Sequence, residues 1–193
     1  RMILKMRHLR KSILYQINPS TKWGEKRMTR SQKISYCAVF TALAMIFSYV
    51  EAILPINFGV PGMKLGLANL VIVAGLYYLN EKDVLIISVT RILLMGLLFG
   101  NGMSLIYSLT GGMLSYLIMI LMKEKTNLSV LVISISGGIT HNIGQLIAAS
   151  LVVSNFHIFY YFPALLIAGT ITGLLIGIVS ERILKILKPN FFD

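Results

Sequence analysis

Charge is scarce in this chain. Asp, Glu, Lys and Arg make up 13% of its 193 residues, about half the share of a soluble globular domain. The single cysteine, Cys37, rules out an internal disulfide; lying in an apolar stretch, it reads as a packing residue. Only two aspartates occur, Asp83 and Asp193, so no aspartate-rich pair exists to hold magnesium on a diphosphate. No glycine-rich phosphate loop ending in Lys-Ser/Thr is present, which excludes ATP hydrolysis by that route. His141 has no Cys, Asp or Glu at metal-ligand spacing, and His8 and His157 lie far from it in sequence. No Ser-His-acid arrangement is evident. The expectation is therefore no metal, no cofactor and no catalysis by this chain alone.

What the chain has instead is apolar length. It is 56% hydrophobic, with a mean hydropathy of +0.78. Its charges cluster between long uncharged stretches, a pattern that points to lipid and not to a large soluble core. The net charge of +11 is concentrated at the front, with ten of the 18 Lys and Arg within residues 1–33. No aromatic-rich basic patch accompanies them, so the excess reads as membrane topology and surface charge, and nucleic acid is not expected as a partner.

Residues 1–30 form a basic cytoplasmic leader and residues 31–193 a transmembrane domain. In the leader, Met2, Met6, Leu9, Ile13 and Ile17 recur at helical spacing with Arg7, Arg10 and Lys11 between them, and Asn18-Pro19-Ser20 follows. Either this is an amphipathic helix on the inner leaflet, or it is an extension upstream of a start at Met28-Thr29-Arg30. It lacks the uninterrupted apolar region of a signal peptide.

About six transmembrane helices are expected, over roughly 34–54, 65–79, 84–99, 103–122, 128–153 and 159–184. They are separated by a Pro- and Gly-rich loop (Pro55, Asn57, Gly59, Pro61, Gly62), the turns Asn80–Asp83, Gly100–Gly102 and Lys123–Asn127, and the loop Ser154–His157. The second and third are short for a crossing of about 20 residues, so one of them is a candidate for a broken or re-entrant segment. With the N-terminus inside, Lys82, Lys123, Lys125, Arg182, Lys185 and Lys188 also fall inside, and only Lys64 falls outside. The positive-inside rule thus gives both ends on the cytoplasmic side. Gly169, Gly173 and Gly177 form a small-residue row suited to close helix packing. Ala38 and Ala42 form another, for internal packing or for docking a partner protein.

The polar residues inside the apolar stretches are the candidate site. Arg91 lies about 12 Å along its helix from Asp83, near the midplane. It needs an ion-pair partner such as Glu51, carbonyls to cap, or a ligand. Glu51, in the last turn of the first span, is either a solvated helix end or the partner of Lys64 or Arg91. Lys64 lies in Pro61-Gly62-Met63-Lys64-Leu65-Gly66-Leu67-Ala68-Asn69, a glycine-bearing loop that feeds a helix. That makes it either an anion site or an exposed lysine. Asn69, one turn on, is either part of that site or an interhelical hydrogen-bonding group. Gly137, His141 and Gln145 make one helical row with Gly138 and Asn142 beside it. His141, Asn142 and Gln145 suit either a ligand or hydrogen bonds between helices. Lys64, Asn69, His141, Asn142 and Gln145 share the outer half, with Arg91 just below. Their charge, positive or neutral, favours a small polar or anionic ligand arriving from outside.

Taken together, Pro61–Asn69, Arg91 with Gly100, Gly111-Gly112-Met113-Leu114-Ser115 and His141-Asn142-Ile143-Gly144-Gln145 resemble the heptaprenyl diphosphate synthase component I, or Gx transporter, membrane family over residues 34–184. That family in turn resembles the substrate-binding S components of energy-coupling factor (ECF) transporters. The resemblance implies an S-component-like six-helix bundle in the bacterial cytoplasmic membrane. It implies capture of a vitamin- or cofactor-like ligand from outside, docking through Ala38 and Ala42 to a transmembrane T component, and ATPase partners. It places the ligand under the first loop, near Lys64 and His141–Gln145. Two other roles stay open: a membrane accessory subunit in prenyl diphosphate or quinone synthesis, and a subunit of a flavin- or quinone-linked electron-transfer assembly.

Overall fold

A computed structural model describes residues 29–53 and 64–187 of the protein. The leader up to Met28, the loop residues Pro55, Asn57, Gly59, Pro61 and Gly62, and Lys188 and Pro189 lie outside the described residues. The described residues form six α-helices: α1 Arg30–Ile53, α2 Asn69–Tyr78, α3 Glu81–Leu98, α4 Gly102–Lys125, α5 Val130–Val153 and α6 Phe162–Leu187. A 3-10 segment, Phe156–Tyr161, leads into α6. No strand occurs among the described residues.

Local chemistry sets the helix ends. At the start of α1, Thr29 and Gln32 cap each other: the Gln32 N–H donates to Thr29 Oγ1 at 3.3 Å and the Thr29 N–H to Gln32 Oε1 at 3.0 Å. Asn101 Oδ1 accepts from the Ser104 N–H at 2.8 Å and opens α4. Glu81 and Asp83 occupy the first turn of α3, and Lys123 and Lys125 the last turn of α4; both placements favour the helix dipole. Ser154, in the left-handed region at φ 51°, ends α5.

Four helical segments are long and apolar enough to cross a membrane: α1, α4, α5 and the continuous stretch Phe156–Ile186. The protein is accordingly a membrane protein of all-α class. α3 has 18 residues but carries Glu81, Lys82, Asp83 and Arg91. α2 departs from the sequence expectation. Its helix begins at Asn69 and not at Leu65, and its 10 residues rise only about 15 Å. Gly66, at φ +87°, turns the chain just before it. α2 is apolar all round, and every residue from Val71 to Tyr77 is buried. It fills the centre of the bundle in contact with each of the other five helices.

α5 packs between α4 and α6 through glycines. A Cβ on Gly144 would come 2.8 Å from Gly111 Cα. On α6, a Cβ on Gly169 would come 2.8 Å from the Gly138 carbonyl oxygen, one on Gly173 2.6 Å from Ile135 Cα, and one on Gly177 2.9 Å from Leu131 Cα. These backbones touch because no side chain intervenes. Ala38 and Ala42 do the opposite, lying exposed on α1.

One end of the bundle carries most of the charge. Lys33 Nζ pairs with Asp83 at 2.9 Å and Lys123 Nζ with Glu81 at 3.6 Å, while the Tyr116 hydroxyl donates to the Glu81 carbonyl at 2.7 Å. These contacts hold the N-terminal turn of α1, the α2–α3 turn and the C-terminal part of α4 together.

Candidate functional site

The polar cluster lies in the other half of the bundle, beyond the N-terminus of α2. Ala44, Ser48 and Glu51 are the buried residues of α1; spaced four and three apart, they form one helical face turned inward. Glu51 is only 9% exposed, so it is not a solvated helix end. Its Oε1 accepts the Gly66 N–H at 2.5 Å. Ser48 Oγ accepts from Arg91 Nη1 at 3.1 Å, and Arg91 is 6% exposed. Glu51, Arg91 and Lys64 lie within electrostatic reach of one another, yet among the described residues no ion pair joins any two of them.

The segment 64–68 is stitched to α5 as well. The Lys64 N–H donates to Gln145 Oε1 at 3.0 Å. That bond fixes which end of the Gln145 amide is oxygen, so its Nε2 donates to His141 Nε2, 2.8 Å away. An imidazole nitrogen that accepts carries no proton, so His141 is neutral with its proton on Nδ1. The ring is clamped on both edges. A Cβ on Gly66 would meet His141 Cδ2 at 3.0 Å, and one on Gly111 would meet His141 Nδ1 at 3.2 Å.

Lys64, Asn69, Arg91, His141 and Gln145 are thus brought into one neighbourhood with Glu51. Asn142 is not. It is one residue from His141 and so about 100° around the helix. Its Nδ2 donates to the Leu165 carbonyl of α6 at 2.8 Å, and Gly169 leaves it the room: a Cβ there would come 3.0 Å from Nδ2. That bond joins α5 to α6, while Asn142 Oδ1, also buried, has no hydrogen-bond partner among the described residues. Ser48, which the sequence reading missed, had one available signal: it lies three residues before Glu51, on the same face.

The hydrogen-bonding balance of the cluster is one-sided. Among the described residues, the buried atoms Arg91 Nε and Asn69 Nδ2 have no hydrogen-bond partner, whereas His141 Nδ1 is turned to the Gly111 backbone. Both unpartnered atoms are donors. Buried polar groups are satisfied in the great majority of cases, and spare donors beside a buried guanidinium match an acceptor-rich, negatively charged group. Among the described residues, no three His, Cys, Asp or Glu side chains converge as a metal ion would require.

The family described as heptaprenyl diphosphate synthase component I matches residues 40–183. The chain belongs to that family, as its motifs suggested. No curated protein and no solved structure matches the chain.

Proposed function

We propose that this member of the heptaprenyl diphosphate synthase component I family is a substrate-binding membrane subunit, similar to an S component of an ECF-type transporter. It captures a small polar or anionic ligand from the outer side of the bacterial cytoplasmic membrane. The observation that carries the reading is the pair of spare buried donors on Arg91 and Asn69, on the side of the bundle away from the Lys33–Asp83 and Lys123–Glu81 pairs. The chain crosses the membrane six times with both ends inside, which leaves the basic turns in the cytoplasm and turns Lys64 outward. Lys64, Asn69, Arg91, His141 and Gln145 contact the ligand, and Glu51 holds the 64–68 segment over it. Ala38 and Ala42, small and exposed on α1, form the docking face for a T component with its ATPase subunits.

The test is copurification from gently solubilised membranes, with uptake measured in parallel. A T component and ATPases should accompany the chain, and Ala38→Trp with Ala42→Trp should abolish both association and uptake. Association and uptake that survive both substitutions would sink the docking assignment. Lys64→Ala and His141→Ala variants that keep full ligand affinity would refute the site.

A second reading is favoured by the family's description: an accessory subunit that supports a separate prenyl diphosphate synthase component. Prenyl transfer by that partner would then depend on this chain. Equal activity with and without it rules the reading out.

A further inference from the structure

The apolar body of the chain contains very few charges. Between Lys33 and Glu181, outside the turns at 80–83 and 123–125, the only ionisable acid is Glu51 and the only Lys and Arg are Lys64 and Arg91. All three belong to the cluster beyond the N-terminus of α2, joined through Gln145, Gly66 and Ser48. Residues 54–63 contain no Asp, Glu, Lys, Arg or His, so they contribute no charge. His141 Nε2 accepts a hydrogen bond from Gln145 Nε2 and is neutral by the hydrogen-bond chain that starts at the Lys64 N–H. With all three ionised, two cations and one carboxylate leave one net positive charge.

We infer that the site selects a ligand bearing a single net negative charge, a carboxylate for example, and discriminates against a diphosphate. This inference rests on the anion-binding reading above. Two features support it. First, Glu51 already takes the N–H that Gly66 offers at the approach to α2, a position where backbone amides otherwise suit an anionic ligand. An internal carboxylate thus uses part of the cradle a diphosphate would need. Second, charges buried without a counter-charge are strongly disfavoured in a low-dielectric interior. A group carrying one negative charge neutralises the cluster; a diphosphate would leave it with an excess. The spare donors on Arg91 and Asn69 supply the directional bonds that one oxyanion can use.

The experiment uses the full chain in nanodiscs and a series of C10 prenyl compounds differing only in head group: the alcohol, the carboxylic acid, the monophosphate and the diphosphate. Binding is read by native mass spectrometry. The acid should bind best, about tenfold or more above both the alcohol and the diphosphate. Glu51→Gln adds one positive charge and should move the optimum to the monophosphate. Lys64→Gln removes one and should move it to the alcohol. A diphosphate optimum in the unaltered chain, or an optimum that neither substitution moves, overturns the inference while the anion-binding reading stands. Charged members that bind no better than the alcohol overturn the anion-binding reading itself. If none of the four binds, difference infrared spectroscopy of the chain against Glu51→Gln decides. An ionised carboxylate band from Glu51 upholds the single net charge, and a protonated carbonyl band overturns it.

Discussion

Replacing Gly66 by alanine separates the roles of the 64–68 segment most sharply. Gly66 sits at φ +87°, a region where a residue with a Cβ is disfavoured by roughly 1–2 kcal/mol. The new methyl would also lie 3.0 Å from His141 Cδ2 and 3.1 Å from Asn69 Nδ2. The imidazole cannot simply swing away, because Gln145 holds its other edge at 2.8 Å and the Gly111 backbone lies behind Nδ1. Overpacking of this kind costs about 1–3 kcal/mol, so the total is about 2–5 kcal/mol, with weakened hydrogen bonds from Gly66 to Glu51 and from Lys64 to Gln145. The control is Gly102→Ala at the start of α4, where the added Cβ would meet nothing within 4 Å; its change should stay within about 0.5 kcal/mol. Thermal unfolding in detergent compares the two, and amide hydrogen exchange at Gly66 and Leu67 reports the local effect. If both variants melt together, with unchanged protection at residues 66 and 67, the proposed clamp is wrong.

Other outcomes follow from the same contacts. Gly144→Ala presses a methyl onto the backbone of Gly111 and Thr110, at 2.8 and 2.9 Å. It should destabilise by about 1–3 kcal/mol and loosen α4 from α5, as cysteine crosslinking between those helices would show. Ser48→Ala removes the one hydrogen bond that Arg91 makes among the described residues. A lost bond to a buried charge corresponds to about 1.5–3 kcal/mol, read as a lower unfolding temperature, with Ser48→Thr milder. Asn142→Leu and Gln145→Leu, three residues apart in sequence, should part ways: the first lowers stability through the lost bond to Leu165 and spares ligand affinity, whereas the second releases Lys64 and reduces affinity at least about tenfold.

Helix order was readable because polar turns at Asn80–Asp83 and Lys123–Asn127 interrupt apolar runs, and a run of that length in an uncharged context leaves few alternatives to helix. The start of α2 was not. Leu65 and Leu67 continue the apolar pattern, and only the left-handed φ of Gly66 stops the helix there; a glycine in a sequence does not announce which φ it will take. Half of the site followed from periodicity. The row of Gly137, His141 and Gln145 faces one way, as its four-residue spacing requires, and α1 turns Ser48 and Glu51 inward together. The other half depends on backbone amides. The bonds from Lys64 and Gly66 to Gln145 and Glu51 use the main chain of a segment whose partners have no sequence signature. Asn142 shows the limit from the other direction: the sequence sets it beside His141, but that one helical step of rotation turns its Nδ2 to α6 is seen only in the structure.

The short α2 explains why polar groups gather where they do. On the six-span reading, a helix of 10 residues rises about 15 Å and fills half of a hydrocarbon core about 30 Å thick. The non-helical segment 64–68 then continues it into the bundle interior, and non-helical backbone at that depth survives only if protein groups satisfy its N–H and C=O. Glu51 and Gln145 do so for Gly66 and Lys64, which accounts for both side chains without any ligand. Arg91 Nε and Asn69 Nδ2 have no such backbone to satisfy. Among the described residues neither serves the 64–68 backbone, and neither has a hydrogen-bond partner. A purely structural cluster has no use for a buried guanidinium held by a single serine hydroxyl, since an apolar side chain of similar size would fill the space without a charge to bury. Retaining Arg91 beside spare donors is therefore the feature that separates a binding site from a patched break in a helix, and Arg91→Met is the substitution on which the two differ. A patch would keep or gain stability, with uptake unchanged; a binding site would lose ligand affinity while the fold holds.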